Sequence, residues 1–386
     1  MLFKHQIKFK NNQKDKMILV WEGGLGKTIA GCIWLQNGRD SDALVVCPKK
    51  VVRKWKKALK DWGTKATVLS KGEFKKISEE TKESPHKWSA KIIDEADEYA
   101  SPLFVAKQRS DLSVALFDLT KAYPDMPTLL LTATPIRSTP WNLHSILTFF
   151  GRYIDWKEYR QRFFYLQYPD EYQFRYLSRP AYMKTPTWRE DIRPLLEKYA
   201  DIVLLKDCVG ELPPTIEEKV EVKTPKFIKT PETKPFFDQH RWEQQNKVKI
   251  ILEDGREYRK VLVVVYYREQ IEELAKQLSK DKETFVVHGG VKDAESIIEK
   301  AQETDECYLI MQASTGVGSD CDTFSCVDFA SMSYSVRDFV QMKYRVRRIH
   351  NLHPVKYRYL IGGVCDKAIL ENVEKGKNFV PSEWHE

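Results

Sequence analysis

The stretch Met17–Thr28, with the sequence MILVWEGGLGKT, predicts the fold of the first part of the chain. The apolar run 17–20 is typical of a short buried strand, a cluster of glycines follows it, and the apolar residues of 29–35 have helical spacing. The same alternation continues downstream, with strand candidates at 43–47, 92–93 and 129–131. Short apolar strands separated by helices predict a parallel α/β sheet covered by helices.

A second α/β pattern begins at Val261–Val265, the strongest strand candidate in the chain. A helical pattern follows at 271–278, with further strands at 285–287 and 308–311. Between the two patterns, residues 149–190 are dense in aromatic side chains, which we expect to pack a helical insertion rather than to stack on bases. A proline-containing polar stretch at 223–238 has the composition of a connector.

Length and composition exclude several classes of protein. The 386 residues are enough for two domains, and 42% hydrophobic with 31% charged residues indicates a globular chain rather than a disordered or fibrous one. No apolar run approaches the roughly 20 residues that span a bilayer, and the first residues lack the apolar core of a signal peptide. We therefore expect no membrane partner and a cytoplasmic location.

The seven cysteines are scattered and form no C-x-x-C pair. We therefore expect neither a disulfide framework nor a structural zinc site, and a reducing compartment. A metal site built from His350 and His353 with Cys321 and Cys326 is strongly disfavoured.

Gly26-Lys27-Thr28 fits the end of the phosphate-binding pattern G-x-x-x-x-G-K-[ST]. Small residues such as Gly24 and Gly26 let main-chain N–H groups wrap phosphate oxygens. A lysine reaches the β and γ phosphates, and a hydroxyl binds Mg²⁺. Trp21 stands where the pattern has its first glycine. The strand and helix on either side favour a nucleotide site over a glycine-rich turn with no ligand.

Asp94-Glu95-Ala96-Asp97 follows the apolar residues Ile92 and Ile93. A phosphate loop needs a carboxylate from another strand to hold Mg²⁺, which Asp94 would supply. The neighbouring Glu95 can polarise the attacking water. The alternative is the charged start of a helix.

These two motifs resemble those of superfamily-two helicases and translocases, and further matches occur in the expected order. Residues 131–135 (LTATP) resemble motif III, in which Thr132 and Thr134 would couple the ATP state to the grip on nucleic acid. Residues 316–320 resemble motif V, whose Asp320 would contact ribose or couple to the nucleic acid. Residues 341–349 resemble motif VI, with Gln341, Arg345 and Arg348 near the nucleotide.

The closest likeness within that superfamily is to Swi/Snf-type translocases, which also lack the first loop glycine. Their motif Ia resembles Val45–Pro48 with Trp55 downstream, and their interlobe signature resembles 204–206 with 212–214. His5-Gln6 would be the adenine-recognising glutamine motif. The absence of large insertions suggests a minimal phage-like form, in host cytoplasm if viral.

The resemblance implies an α/β fold with two RecA-like domains, each a mostly parallel sheet flanked by helices. We expect lobe 1 at 1–150, an aromatic-rich helical insertion and interlobe segment at 151–215, and lobe 2 at 216–386. The implied cofactors are ATP and Mg²⁺. Lys27, Asp94 and Glu95 would be catalytic together with Arg345 and Arg348, of which Arg348 would be the arginine finger.

The net charge of +8 is modest but unevenly distributed. Residues 49–76 contain eleven Lys or Arg and two acids. Pro48, Lys49 and Lys50 are expected to contact a phosphate backbone, whereas the lysines of the following helix could equally be a solvated face.

The resemblance therefore predicts an ATP-dependent DNA helicase or translocase, with duplex DNA as the favoured partner and possibly a protein partner for targeting. A DEAD-box-like RNA helicase is one alternative, favoured by 94–97 and by Thr132-Ala133-Thr134. A non-catalytic nucleic-acid-binding scaffold is the other.

Overall fold

The structure is a computed structural model, and it divides into two compact units, Met1–Asp207 and Cys208–Glu386. It describes residues 2–81, 85–101, 110–133, 135, 141–163, 166–167, 181–182, 193–208, 212–228, 235–315, 320–348, 351, 353–377 and 379–381. Thr134 and the motif V residues 316–319 lie outside the described residues, as does Ile349.

The first unit is built on a six-stranded parallel sheet with the strand order β3-β2-β4-β5-β1-β8. A two-stranded antiparallel pair, β6 and β7, is separate from it. The strands are β1 (Lys16–Trp21), β2 (Ala43–Cys47), β3 (Thr67–Ser70), β4 (Ala90–Asp94), β5 (Thr128–Thr132), β6 (Leu166–Gln167), β7 (Ala181–Tyr182) and β8 (Ala200–Val203). The helices are α1 (Lys4–Asn11), α2 (Lys27–Leu35), α3 (Val52–Asp61), α4 (Lys71–Glu80), α5 (Asp111–Ala122), α6 (Trp141–Phe149), α7 (Trp156–Phe163) and α8 (Arg193–Glu197).

The central strands of this sheet are buried throughout, as expected for a parallel sheet with helices on both faces. The core includes aromatic side chains of the predicted insertion, because Phe149, Phe150, Tyr159 and Phe163 are buried in it. For these residues, the prediction that the aromatics pack rather than stack on bases is confirmed. Phe164, Tyr165 and Tyr168 lie outside the described residues.

The second unit has its own six-stranded parallel sheet, with the order β11-β12-β10-β13-β14-β9. Its strands are β9 (Thr215–Glu221), β10 (Lys260–Val265), β11 (Glu283–Val287), β12 (Cys307–Gln312), β13 (Cys326–Phe329) and β14 (Val355–Ile361). Its helices are α9 (Pro235–Trp242), α10 (Lys247–Glu257), α11 (Arg268–Leu278), α12 (Ala294–Glu303), α13 (Val336–Val346) and α14 (Val364–Glu374).

Separate apolar clusters cover the two faces of this second sheet. Leu262 and Val264 of β10 face one cluster, and Val261, Val263 and Val265 face the other, which is the period-two alternation of a strand buried on both sides. The prediction of two α/β sheets flanked by helices is confirmed.

The division between the units falls at Asp207, inside the predicted segment 151–215. Helix α7 and strand β8 belong to the first unit, since β8 pairs with β1 at the edge of the first sheet. Strand β8 is difficult to predict from the sequence, because one of its four residues is charged and the strand is only partly buried.

Two findings concern the cysteines and the helices of the described residues. All seven cysteines are free and buried. Within the described ranges, every helix is too short or too polar to cross a bilayer.

Candidate nucleotide-binding site

The loop between β1 and α2 connects a buried strand to a helix that begins at Lys27. Gly24 and Gly26 have φ angles of +87° and +77°, which only glycine adopts without strain. A Cβ added to Gly26 would lie 2.2 Å from Nε2 of Gln6. Both glycines are therefore needed for the shape of the loop, in agreement with their predicted place in it.

Gln6 lies against this loop, although it is 20 residues from Gly26 along the chain. Its Nε2 donates to the carbonyl oxygens of Leu25 and Gly26 at 3.4 and 3.3 Å, and its Oε1 accepts from the Phe3 amide at 2.9 Å. A ring nitrogen of His5 lies 2.9 Å from the same Leu25 oxygen. The structure thus places the predicted glutamine beside the phosphate loop, and its contact with adenine stays a prediction.

The Lys27 ammonium lies over the end of β1, where Nζ donates to the Trp21 carbonyl at 2.8 Å and approaches that of Glu22 at 3.5 Å. Thr28 is the next residue of α2 and is half-buried. A lysine that donates to main-chain carbonyls can exchange those partners for phosphate oxygens. This arrangement is suited to a triphosphate.

Contacts that the sequence did not predict fasten the loop to β8. Glu22 accepts a hydrogen bond from the Leu205 amide. The indole N–H of Trp21 donates to Asp201 Oδ2 at 2.9 Å. Trp21, which replaces the first glycine of the usual pattern, is fully buried and thereby ties β1 to the sheet edge.

Asp94 is the last residue of β4, and its carboxylate is buried. Its Oδ2 accepts from the Trp55 indole N–H at 2.7 Å, and its Oδ1 accepts from the Glu95 amide at 3.0 Å. Burial raises the pKa of Asp94, while the Trp55 hydrogen bond and the positive charge of Lys27 act to lower it. The Lys27 ammonium is therefore close enough to Asp94 for its positive charge to act on that carboxylate.

Trp55 was predicted only as part of motif Ia, and its bond to Asp94 was not foreseen. The ring is fully buried on α3 and presses against α2, where a Cβ on Gly31 would lie 2.6 Å from Trp55 Cη2. The glycine on α2 thus makes room for a tryptophan that holds the Asp94 carboxylate.

Glu95 has a left-handed backbone, with φ +52° and ψ +51°. Such a conformation costs about 1–2 kcal/mol for a residue other than glycine, and strained residues of this kind are concentrated at functional sites. A tight 3₁₀ turn, Ala96–Glu98, follows directly. The strain sets Glu95 apart from an ordinary helix start, which was the alternative considered for this motif.

Asp97 and Thr132 join motif II to motif III. Thr132, the last residue of β5, donates its hydroxyl to Asp97 Oδ1 at 2.8 Å, and both side chains are buried. Asp97 was not among the predicted site residues, although its place in the D-E-A-D sequence could have suggested it. The other predicted coupling residue, Thr134, lies outside the described residues.

Pro48 ends the β2 segment and is buried, whereas Lys49 and Lys50 next to it are exposed. Because β2 neighbours β4 in the parallel sheet, both strands end at the same edge. The predicted nucleic-acid contacts therefore lie on the same edge of the first sheet as Asp94.

In the second unit, the structure brings the predicted residues of motifs V and VI together. Arg348 Nη2 lies 2.6 Å from Asp320 Oδ1. Arg345 is buried near the C-terminal end of α13, one turn after the half-buried Gln341. Burial lowers the pKa of Arg345, and the nearby Asp320 charge partly offsets this effect.

Residues 243–350 match the family described as "Helicase conserved C-terminal domain". This range includes Asp320, Gln341, Arg345 and Arg348. No curated protein sequence matches the chain.

Solved helicase structures share the fold. A point variant of S. cerevisiae Dbp5 bound to RNA and ADP BeF3 has a TM-score of 0.58 at 13% identity, covering 97% of this chain and 87% of that one. The helicase domain of Pyrococcus furiosus Hef has a TM-score of 0.54 at 12% identity, covering 96% and 99%.

The fold is the tandem RecA-like fold of helicases. The match to the helicase C-terminal domain covers residues 243–350, and the solved helicase structures share the fold of both units.

Proposed function

We propose that this chain is an ATP-dependent motor that couples ATP hydrolysis to movement on DNA, with duplex DNA as the favoured track. The proposal rests on the positions of Lys27 and Asp94. Lys27 follows β1, Asp94 is the last residue of β4 in the same parallel sheet, and the positive charge of Lys27 acts on the Asp94 carboxylate. Such an arrangement is useful to a ligand that brings both phosphate and a divalent cation.

The residues of the first unit fit this chemistry. Lys27 would exchange the Trp21 carbonyl for phosphate oxygens. The Thr28 hydroxyl and the Asp94 carboxylate are hard oxygen donors of the kind that Mg²⁺ prefers. Mg²⁺ would neutralise charge on the phosphates, and Glu95 would orient the attacking water.

Arg348 is our assignment for the arginine finger, with Arg345 assisting, while Gln341 and Asp320 would complete the nucleotide contacts. Both arginines lie in the segment that matches the helicase C-terminal domain. The ion pair between Arg348 and Asp320 holds the guanidinium before any nucleotide arrives.

The exposed pair Lys49 and Lys50 supports backbone contact with nucleic acid. A phosphate contact of this type is independent of base sequence. The form of the phosphate loop, with Glu22 bonded at its start and no first glycine, supports the Swi/Snf-like, minimal phage-like assignment.

An RNA helicase is the second candidate. The bond between Asp97 and Thr132 uses the last residue of the D-E-A-D sequence, and one of the structurally similar proteins is bound to RNA.

The test is ATP hydrolysis by the full chain with duplex DNA, single-stranded DNA or RNA, each at two salt concentrations. We expect stimulation by DNA, greatest with duplex, that weakens as salt rises. Stimulation by RNA alone would support the second candidate. Glu95→Gln should retain ATP binding and lose hydrolysis in every arm, and unchanged hydrolysis would refute the site assignment.

A further inference from the structure

A group of three potential metal ligands lies in the second unit, away from the residues assigned to the nucleotide. Asp254 comes from α10, and Cys326 and Asp328 come from β13. Cys326 and Asp328 are two positions apart on one strand and therefore point to the same face of the sheet. One ligand atom from each residue lies within 4.8 Å of the others, and all three residues are buried.

In the described residues, three of the four carboxylate oxygens of this group lack a hydrogen-bond partner. Within the described part of the chain, neither oxygen of Asp328 has a hydrogen-bond partner, and Oδ2 of Asp254 has none. Asp328 is 0% exposed, so water cannot satisfy it. Each unsatisfied buried polar group costs about 1–3 kcal/mol, and more for a charge. A buried carboxylate with two orphaned oxygens is suited to a cation.

Arg358 does not meet this need alone. Its Nη1 bonds to Oδ1 of Asp254, and its Nε lies 3.8 Å from a carboxylate oxygen of Glu218. The guanidinium of Arg358 is therefore shared between Asp254 and Glu218. Because ligating carboxylates usually accept a hydrogen bond from a further group, the Arg358 bond to Asp254 also suits an outer partner of a metal site.

The charges define the kind of ion. Two carboxylates and one thiolate carry three negative charges, and the neighbouring cations Arg358 and Lys356 are shared with Glu218, so the net negative charge suits a divalent cation. Burial raises the pKa of Asp328 and of the Cys326 thiol. A thiolate beside carboxylates selects a zinc-like ion over Mg²⁺ or Ca²⁺, which prefer oxygen alone.

We propose that Asp254, Cys326 and Asp328 form a structural zinc site that fastens α10 to β13. Binding forms one Zn–S and at least two Zn–O bonds and releases the thiol proton of Cys326 and the carboxyl proton of Asp328 to solvent. Asp328 can supply both of its oxygens, which gives four ligand atoms from three residues. Zinc bonds of about 2.0–2.3 Å place ligand atoms closer together than the 4.8 Å limit of their present spacing, so the side chains would close on the ion.

The site is separate from the proposed motor function. It lies on a helix-covered face of the second sheet, in the apolar cluster that contains Ile251 and Cys326. Its loss would lower stability without removing a residue that we assign to ATP. The absence of a C-x-x-C pair hides such a site in the sequence, because the ligands come from a helix and a strand far apart along the chain.

The first experiment measures metal in the full chain. Protein refolded with one equivalent of Zn²⁺ and then dialysed against a mild chelator should retain about one zinc per chain. Refolding with Co²⁺ should give the near-ultraviolet charge-transfer band of a thiolate ligand, which a cobalt ion at an all-oxygen Mg²⁺ site lacks. Cys326→Ser should lose the band, and Cys307→Ser, which changes a buried cysteine on β12, two strands away from β13, should keep it.

The second experiment remains informative if Cys326→Ser does not fold. Asp328→Leu removes the orphaned oxygens, so it should stabilise a chain without metal and destabilise one that binds zinc. We expect zinc to raise the melting temperature of the wild type and not that of Asp328→Leu. No retained zinc and no thiolate band in the wild type, or a more stable Asp328→Leu in the presence of zinc, would overturn the proposal.

Discussion

Lys27 and Lys247, one in each unit, have similar local backbone positions. Each is the first residue of a helix, and each follows a residue with a left-handed backbone, Gly26 at φ +77° and Asn246 at φ +64°. Each also lies where strands of its sheet end, since Lys27 Nζ bonds to the Trp21 carbonyl and Lys247 Nζ to that of Ala330.

The two lysines differ in their partners. Lys27 donates to main-chain carbonyls and is half-buried. Lys247 is fully buried and bonds to the Asp366 carboxylate, to Gln244 Oε1 at 2.8 Å and to the Ala330 carbonyl at 2.7 Å. His240 Nε2 donates to the same Asp366 carboxylate at 3.0 Å.

This difference separates a binding group from a structural one. The positive charge of Lys247 and the hydrogen bond from His240 hold the pKa of Asp366 at about 2 despite its complete burial. Such a group is stable only while each charge keeps its partner. Lys27 is half-buried, so its main-chain hydrogen bonds can be exchanged for those of an anion. The comparison predicts that one lysine governs stability and the other governs activity.

The largest effect is expected from Lys247→Met, which keeps most of the side-chain volume and leaves Asp366 without its main partner. Removing one member of a buried ion pair costs about 3–5 kcal/mol. Denaturant unfolding should show this loss, and Lys249→Met, an exposed lysine on the same helix, should show almost none. Equal stability of the two variants would contradict the structural role of Lys247.

Lys27→Ala should lower ATP turnover by about 100- to 1,000-fold, the usual cost of removing one preorganised electrostatic group. Its melting temperature should stay close to that of the wild type, because Lys27 is half-buried and can be hydrated, whereas Lys247 is fully buried. Lys280→Ala, on the surface of the second unit, is the control. A variant that unfolds instead of losing turnover would break the comparison.

Trp55→Phe should have an intermediate effect. The ring still packs against Gly31, but the hydrogen bond to Asp94 is lost. A hydrogen bond to a charged group contributes about 1.5–3 kcal/mol, so we expect the Mg²⁺ concentration for half-maximal ATPase to rise by about tenfold or more. Trp62→Phe, at the end of the same helix, should leave the Mg²⁺ requirement unchanged.

The smallest effect concerns Lys49 and Lys50. Replacing both by alanine should reduce the salt dependence of nucleic-acid affinity by about two counterions, since each phosphate contact contributes about 0.9 to the slope. The matched control replaces the exposed Lys8 and Lys10 of α1. An equal change in both double variants would show only a general effect of net charge.

Local patterns explain why part of this organisation could be predicted. The strand, the glycines and Lys27 are contiguous, so the loop and its helix follow from sequence alone. Asp94 and Thr132 were found because each directly follows an apolar run. The residues that the sequence motifs identify are those whose role depends on residues next to them in the chain.

The contacts that were missed join residues distant in sequence. The bond from Trp55 to Asp94 and the ionic group around Lys247 depend on how helices pack on the sheets, which no local pattern encodes. Strand β8 was missed because its sequence is short and mixed, and it is fixed by pairing with β1. The residue types of the proposed site could be predicted from the sequence, but most of the residues that hold them in place could not.

The most direct test of the account is calorimetric titration of the full chain with a non-hydrolysable ATP analogue and Mg²⁺. The account predicts one binding site per chain in the wild type and in Lys280→Ala, and loss of most of the affinity in Lys27→Ala. Binding of equal strength in the Lys27→Ala variant, or no binding in the wild type, would contradict it.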